Sequence, residues 1–75
     1  MPKLPRITGK ELLFALKSAG FVQIRVRGSH HYLLKPPDTN LVTVPVHPGE
    51  ILPPKTLQSI LQQAKLTVEE LINLL

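Results

Sequence analysis

One short segment, Gly28-Ser29-His30-His31, contains the residue types in this chain that could do chemistry. Gly28-Ser29 is typical of a two-residue hairpin turn, so His30 would stand at the start of a strand. An imidazole can take up and release a proton near neutral pH. Three cations lie close by in the sequence: Arg25, Arg27 and Lys35. An imidazole among fixed positive charges could cut a phosphodiester, because the ring moves protons while the cations stabilise the phosphate.

RNA can be cut in this way without a metal, if a base takes the proton from its 2′-hydroxyl and an acid protonates the leaving oxygen. We predict His30 as the catalytic residue, with Ser29 and His47 in auxiliary roles. His47 could supply a second proton-transfer group if its loop folds toward His30. The alternatives are that His30 is an ordinary, partly exposed strand residue and that His47 only fixes its loop through a hydrogen bond.

Four cations are predicted to bind RNA phosphates: Arg25, Arg27, Lys35 and Lys55. Lys55 lies at the start of a predicted helix, where free backbone amides and the helix dipole favour an anion. The alternative for all four is that they only keep a surface soluble. Seven of the nine Lys and Arg residues lie at or before Lys35, where Glu11 is the single acid. Such a basic half favours a polyanionic partner.

No metal and no other cofactor is predicted. His30 and His31 are neighbours in a strand, so their side chains should point to opposite faces. His31 is therefore predicted to be packed on the helix side. Asp38 and Glu50 lie in separate loops, and no carboxylate or thiol completes a metal-binding set with the histidines.

The length of 75 residues predicts one domain spanning positions 1–75. The chain has no cysteine, which excludes disulfides and thiolate metal sites and fits a reducing cytoplasm. No apolar run approaches the ~20 residues that span a bilayer. We therefore expect a cytoplasmic protein without a signal peptide, and neither a membrane nor a small-molecule cofactor among its partners.

The pattern along the chain predicts a helix, three strands and a second helix, with a short helical tail. Residues 1–7 are predicted to form a flexible arm. Thr8 and Glu11 fit a capping box that opens the first helix, and Gly20 ends it. Pro53-Pro54 favours the start of the second helix. The remaining predicted elements are strands over 21–27, 30–35 and 41–46, and a capped tail over 67–75.

This order predicts an α+β domain in which both main helices pack on one face of a three-stranded antiparallel sheet. In the first strand Val22, Ile24 and Val26 are expected to point toward the helices. Three polar residues should point away from them: Gln23, Arg25 and Arg27. The α-β-β-β-α order is that of double-stranded-RNA-binding domains, which read shape and 2′-hydroxyls more than sequence.

Taken together, these stretches resemble the HicA toxin family, the small mRNA interferases of HicA–HicB type II toxin–antitoxin pairs. The resemblance runs from about residue 8 to residue 66. The matching stretches are Lys10-Glu11-Leu12-Leu13, Ala19-Gly20-Phe21-Val22, Arg27-Gly28-Ser29-His30-His31, Val42-Thr43-Val44-Pro45 and Leu57-Gln58-Ser59-Ile60-Leu61-Gln62-Gln63-Ala64.

The resemblance implies a double-stranded-RNA-binding-like fold and an endoribonuclease that cuts mRNA without a metal. It implies that His30 is catalytic and that a HicB antitoxin covers it. Two residues depart from the family pattern: Lys65 stands where a glycine often ends the second main helix, and Phe14 occupies a site that is more often polar. Two other functions remain open at this point, a non-catalytic RNA-binding module and a protein-interaction domain.

Overall fold

The chain forms three helices and one three-stranded antiparallel sheet in a computed structural model that describes residues 3–75. The elements are α1 (Gly9–Ser18), β1 (Val22–Arg27), β2 (His30–Leu34), β3 (Val42–Pro45), α2 (Pro54–Ala64) and α3 (Val68–Leu74). The predicted α-β-β-β-α order is confirmed. None of the helices within residues 3–75 has the length and apolar character needed to cross a membrane.

Capping boxes open both α1 and α3, as the sequence predicts. The Glu11 amide donates to the Thr8 hydroxyl, and the Thr8 amide donates to the Glu11 carboxylate at 2.9 Å. Thr67 and Glu70 repeat this arrangement at the start of α3. Hydrogen bonds donated to the Glu70 carboxylate, first by the Thr67 backbone amide and second by the Thr67 side chain, hold the pKa of Glu70 below its ordinary value.

The core lies between the three helices and one face of the sheet. Leu33 of β2 and Val42 and Val44 of β3 are fully buried on the sheet side. The helices cover them with buried leucines: Leu12, Leu16, Leu57, Leu61 and Leu71. Because all the helices pack on the same side, the opposite face of the sheet is open.

Strand β1 departs from the predicted arrangement. We expected Val22, Ile24 and Val26 to point toward the helices and to be buried there, but their exposed fractions are 49%, 53% and 49%. The direction expected for Val22 is wrong, since it pairs with Leu34 on the face opposite the buried Leu33. The pairing with β2 shifts between Gln23 and Arg25, and the extra residue of this bulge is Ile24. A bulge interrupts the alternation of side chains, so a strict period of two does not hold along the strand.

Cross-strand partners show which face each β1 residue occupies, since opposed residues in antiparallel strands lie on the same face. Gln23 pairs with the buried Leu33 and Val26 pairs with His31, which places both on the helix side. The expectation that Gln23 points away from the helices is therefore wrong. Val26 stays half exposed because the core is built on β2 and β3 and does not reach this edge.

The last part of the predicted N-terminal arm is packed against the domain. Ile7 is buried, and Leu4 is partly buried against the core. The Ile7 carbonyl accepts a hydrogen bond from the Leu52 amide at 2.8 Å. Positions 1 and 2 of this arm lie outside the described residues.

Helix α2 ends at Lys65, the position at which the resemblance leads us to expect a glycine. Lys65 has φ 58° and ψ 39°, in the left-handed region that glycine adopts more easily. The Leu66 amide donates to the Leu61 carbonyl at 3.0 Å, which closes the helix end. Lys65 thus adopts a backbone conformation that costs less for glycine than for a residue with a Cβ.

Lys65→Gly should stabilise the domain by up to about 1 kcal/mol. A left-handed residue with a Cβ costs roughly 1–2 kcal/mol, which exceeds the roughly 0.5–1 kcal/mol of chain entropy that glycine adds. The measurement is thermal unfolding, where about 1 kcal/mol corresponds to roughly 4–8 °C in a domain of this size. Gln62→Gly, at an exposed right-handed position of the same helix, should lower Tm; a lowered Tm for both variants would contradict the argument.

Candidate nucleic-acid interface

His30 lies on the open face of the sheet, at the first position of β2. Its imidazole is exposed, and its cross-strand neighbours are Arg27 on β1 and Pro45 on β3. The exposed imidazole is therefore flanked by a guanidinium group on one side and a proline ring on the other. His31 points to the helix side, as predicted, and its Nδ1 lies 3.1 Å from Oε1 of Gln23 in a hydrogen bond.

The turn before His30 is held in place by the end of β3. Gly28 has φ 59°, the positive value that the first residue of a primed hairpin turn requires. The Ser29 carbonyl accepts a hydrogen bond from the Val46 amide at 2.7 Å. The half-buried Ser29 therefore joins the hairpin to the third strand, and both connections fix where His30 begins.

The open face carries a group that we call the basic strand face: Arg25, Arg27, His30 and Tyr32. Arg25 pairs with Tyr32 and Arg27 pairs with His30, so the four residues form two adjacent cross-strand pairs. Both arginines are exposed and point away from the helices, as predicted. Tyr32 was not among the predicted site residues, although its position two residues after His30 on the same strand already places it on the same face.

The other two predicted cations lie elsewhere. Lys35 follows the far end of β2, about 16 Å along the strand from His30 at roughly 3.3 Å per residue. Its Nζ lies 5.9 Å from the centre of the Phe21 ring. Lys55 is exposed in the first turn of α2. The structure thus brings Arg25 and Arg27 to His30 and leaves Lys35 apart from it.

A cavity of about 540 Å³ begins beside the basic strand face. Pro45, the neighbour of His30, forms part of its wall, and His47, Glu50 and Thr56 contribute polar groups. His47 therefore shares a cavity wall with the residue beside His30. Lys55 precedes Thr56 in α2 but is not among the residues that line the cavity. Within residues 3–75 no three His, Asp or Glu side chains come together in a way that could hold a metal ion.

The N-terminus of α1 packs directly against the strand end that borders His30. A Cβ added at Gly9 would collide with the backbone carbonyl of Pro45 and would lie 3.0 Å from the Cα of Val46. Only a residue without a side chain allows this approach. Gly9 therefore sets how closely α1 can support the end of β3, where Pro45 and Val46 position the hairpin.

The fold and this surface define a small α+β domain with the element order of double-stranded-RNA-binding domains and a basic, histidine-bearing face. The profile of the family described as "HicA toxin of bacterial toxin-antitoxin" matches residues 9–66 of the 75-residue chain. The chain belongs to this family, so its role is that of a toxin and an antitoxin is its partner. No curated protein matches the chain.

Gly9→Ala should destabilise the domain by up to about 2 kcal/mol. The helix propensity of alanine favours the change by roughly 1 kcal/mol, but forcing a methyl group against a packed backbone costs typically 1–3 kcal/mol. Because neither Pro45 nor Val46 can move without disturbing β3, the steric penalty should exceed the gain. Denaturant unfolding measures the difference, and Ser18→Ala at the exposed end of the same helix is the control. Equal or higher stability of Gly9→Ala would contradict the close approach.

Proposed function

We propose that the protein is a metal-independent endoribonuclease that cleaves mRNA, with His30 as the general acid/base. The observation that carries the proposal is the placement of an exposed imidazole beside two guanidinium groups on one open face. This arrangement leaves room for a polyanion and supplies both proton transfer and charge stabilisation. Membership of a toxin family supports an activity directed at an essential molecule of the cell.

The reaction follows from the groups at the basic strand face. His30 removes the proton from a ribose 2′-hydroxyl, and the resulting oxygen attacks the adjacent phosphorus. As the new P–O bond forms, the bond to the 5′-oxygen of the next nucleotide breaks. An acid returns a proton to that oxygen, which leaves a 2′,3′-cyclic phosphate and a free 5′-hydroxyl. The positive charge of Arg27, opposite His30, stabilises the extra negative charge of the phosphorane.

The surroundings of His30 provide further contacts for RNA. Arg25 lies one cross-strand pair farther along the face and can bind the phosphate of a neighbouring nucleotide. Tyr32 offers an aromatic ring on which a base can stack, an interaction worth roughly 1–3 kcal/mol. Lys55 can bind a phosphate at the first turn of α2. Lys35 is too distant to act at the same phosphate as His30 and would contact RNA only farther along the strand.

Two groups are proposed for auxiliary roles near the reacting bond. His47 shares the cavity with the proline beside His30, and it can act as the acid when the bound RNA spans this opening. The hydroxyl of Ser29 precedes His30 at the turn and can contact a phosphate oxygen. His30 is nevertheless the residue on which cleavage depends, because no other imidazole of the described residues shares the face with the two arginines.

We also propose that the antitoxin is of the HicB type and inhibits cleavage by covering the basic strand face. The face is open and positively charged, so an acidic partner would compete with RNA for the same cations. Occlusion of His30 would then require no change in the fold of the toxin.

A non-catalytic RNA-binding module is the second candidate, because the α-β-β-β-α order and the basic face would serve binding alone equally well. The two functions differ in whether bound RNA is cut. Cleavage with a chelator present therefore decides between them, and it also tests the independence from metal.

His30→Ala should lose RNA cleavage by about 100-fold or more, since general acid/base catalysis contributes roughly 10²–10⁴-fold. The exposed position of His30 predicts an unchanged Tm. His31→Ala, whose ring lies on the opposite face, is the matched control and should cleave like the parent. An RNA with a single deoxyribose at the scissile position should resist cleavage. Full activity of His30→Ala would refute the catalytic assignment, and intact RNA with the parent protein would favour the binding module.

Arg27→Gln should weaken RNA binding and lower the slope of log affinity against log salt by about 1, because each neutralised phosphate releases counterions. The measurement uses the His30→Ala background, so that the RNA stays intact during the titration. Lys17→Gln removes the same charge from the exposed side of α1 and should leave the slope unchanged. Equal slopes for the two variants would mean that the basic strand face does not bind phosphates.

A further inference from the structure

Strand β1 is an edge of the sheet with an unusual amount of exposed aliphatic surface. The strand order is β1-β2-β3, so β1 has a neighbour on one side only. Val22, Ile24 and Val26 are each about half exposed. Val22 pairs with Leu34 on the open face, whereas Val26 pairs with His31 on the helix side. The apolar surface therefore continues around the edge from one face of the sheet to the other.

The backbone of β1 can accept a further strand. Along a strand, the N–H and C=O groups of successive residues point alternately to its two sides. Because the Ser29 carbonyl accepts a hydrogen bond from Val46, at the end of β3, the N–H and C=O of His30 point toward β1. Arg27 and His30 are then the bonded pair that closes the hairpin. The next pair, Val26 and His31, is of the non-bonded type. The N–H and C=O of Val26 accordingly point outward, away from β2.

The opposite edge of the sheet is occupied. The Thr43 amide of β3 donates to the side-chain oxygen of Gln63 at 3.2 Å, and Asn40 donates to the Gln63 carbonyl at 2.7 Å. Pro45, the next outward position of β3, has no N–H to offer. Of the two sheet edges, β1 is thus the one with a free donor and exposed aliphatic side chains.

We propose that an extended, acidic segment of the antitoxin binds along β1 as a fourth strand of the sheet. The inference rests on the antitoxin partnership and extends it to a second surface, beside the one that covers His30. Main-chain hydrogen bonds would supply affinity, as in other strand additions. The aliphatic side chains of β1 would be buried from both faces, and Arg25 and Arg27 would pair with the acidic side chains.

Charge favours this occupant over a second copy of the chain. A two-fold pairing of β1 with β1 of another copy would bring Arg25 and Arg27 of one chain close to the same residues of the other. Like charges in opposed cross-strand positions are destabilising. The net charge of +4 adds to this repulsion. An acidic strand converts the same positions into attractive pairs.

Val26→Pro tests the backbone contact directly. Proline removes the outward N–H of Val26 but no hydrogen bond of the β1–β2 ladder, and proline is tolerated at edge positions of this kind. The affinity for the purified cognate antitoxin, measured by titration calorimetry, should fall by tenfold or more. Val26→Thr keeps the N–H and the branched side chain and should bind like the parent. Cleavage of RNA by Val26→Pro should stay at the parent level, which separates this inference from the proposed nuclease function.

Val22→Glu is the second variant, in case proline perturbs the strand. Its carboxylate would repel an acidic segment, so binding should weaken by about tenfold, whereas Val22→Thr should bind normally. Hydrogen exchange on the parent protein locates the contact, since the Val26 amide should exchange rapidly alone and become protected in the complex. Unchanged affinity of folded Val26→Pro and Val22→Glu, or a Val26 amide that stays unprotected, would overturn the inference. Dimerisation of the isolated chain through β1 would also overturn it, in favour of a second copy.

Discussion

The extent of the core is the constraint on which the rest of this structure depends. A chain of 75 residues buries a modest part of its surface, and its three helices cover only β2 and β3. The buried sheet residues are Leu33, Val42 and Val44. Strand β1 and the whole opposite face therefore remain in contact with solvent. The exposure of the candidate site follows from this shortage of covering elements.

An exposed sheet face alone would not fix the position of His30. The contacts that hold the β1–β2 hairpin in place are therefore important. The Ser29 carbonyl is bonded to the amide of Val46, and α1 rests against the backbone beside Pro45 through Gly9. The beginning of β2 is thus held by β3, which is held in turn by a helix. His30 combines an exposed ring with a backbone fixed on the side of the core. Such a combination suits a group that must meet a large substrate at a constant position.

Much of this arrangement could be predicted from the sequence, because the signals are local. The capping boxes at Thr8 and Thr67 depend on residues three apart, and the Gly28-Ser29 turn depends on two neighbours. The opposite orientation of His30 and His31 follows from strand geometry alone. The exposure of Phe14 likewise follows from helical periodicity, since Phe14 lies on the opposite side of α1 from the buried Leu12.

The exposure of β1 could not be predicted from the sequence, for two physical reasons. Its alternating valines and isoleucine indicate a half-buried strand, but burial requires a covering element, and no local pattern reports how far the helices reach. The bulge at Ile24 is decided by pairing with β2 rather than by β1 itself. The separation of Lys35 from His30 shows that proximity in sequence is not proximity along an extended strand, where a few residues span the length of the sheet.

The asymmetry between the two sheet edges limits how this protein can aggregate. A β-sheet fibre grows only if every subunit has two edge strands that can pair, so that each added chain offers an unpaired edge to the next. Here Gln63 and Pro45 block one side. A chain that pairs through β1 therefore leaves no further edge free for pairing, and growth of the sheet stops there. The side chains that complete the fold at β3 would thus also oppose fibre formation.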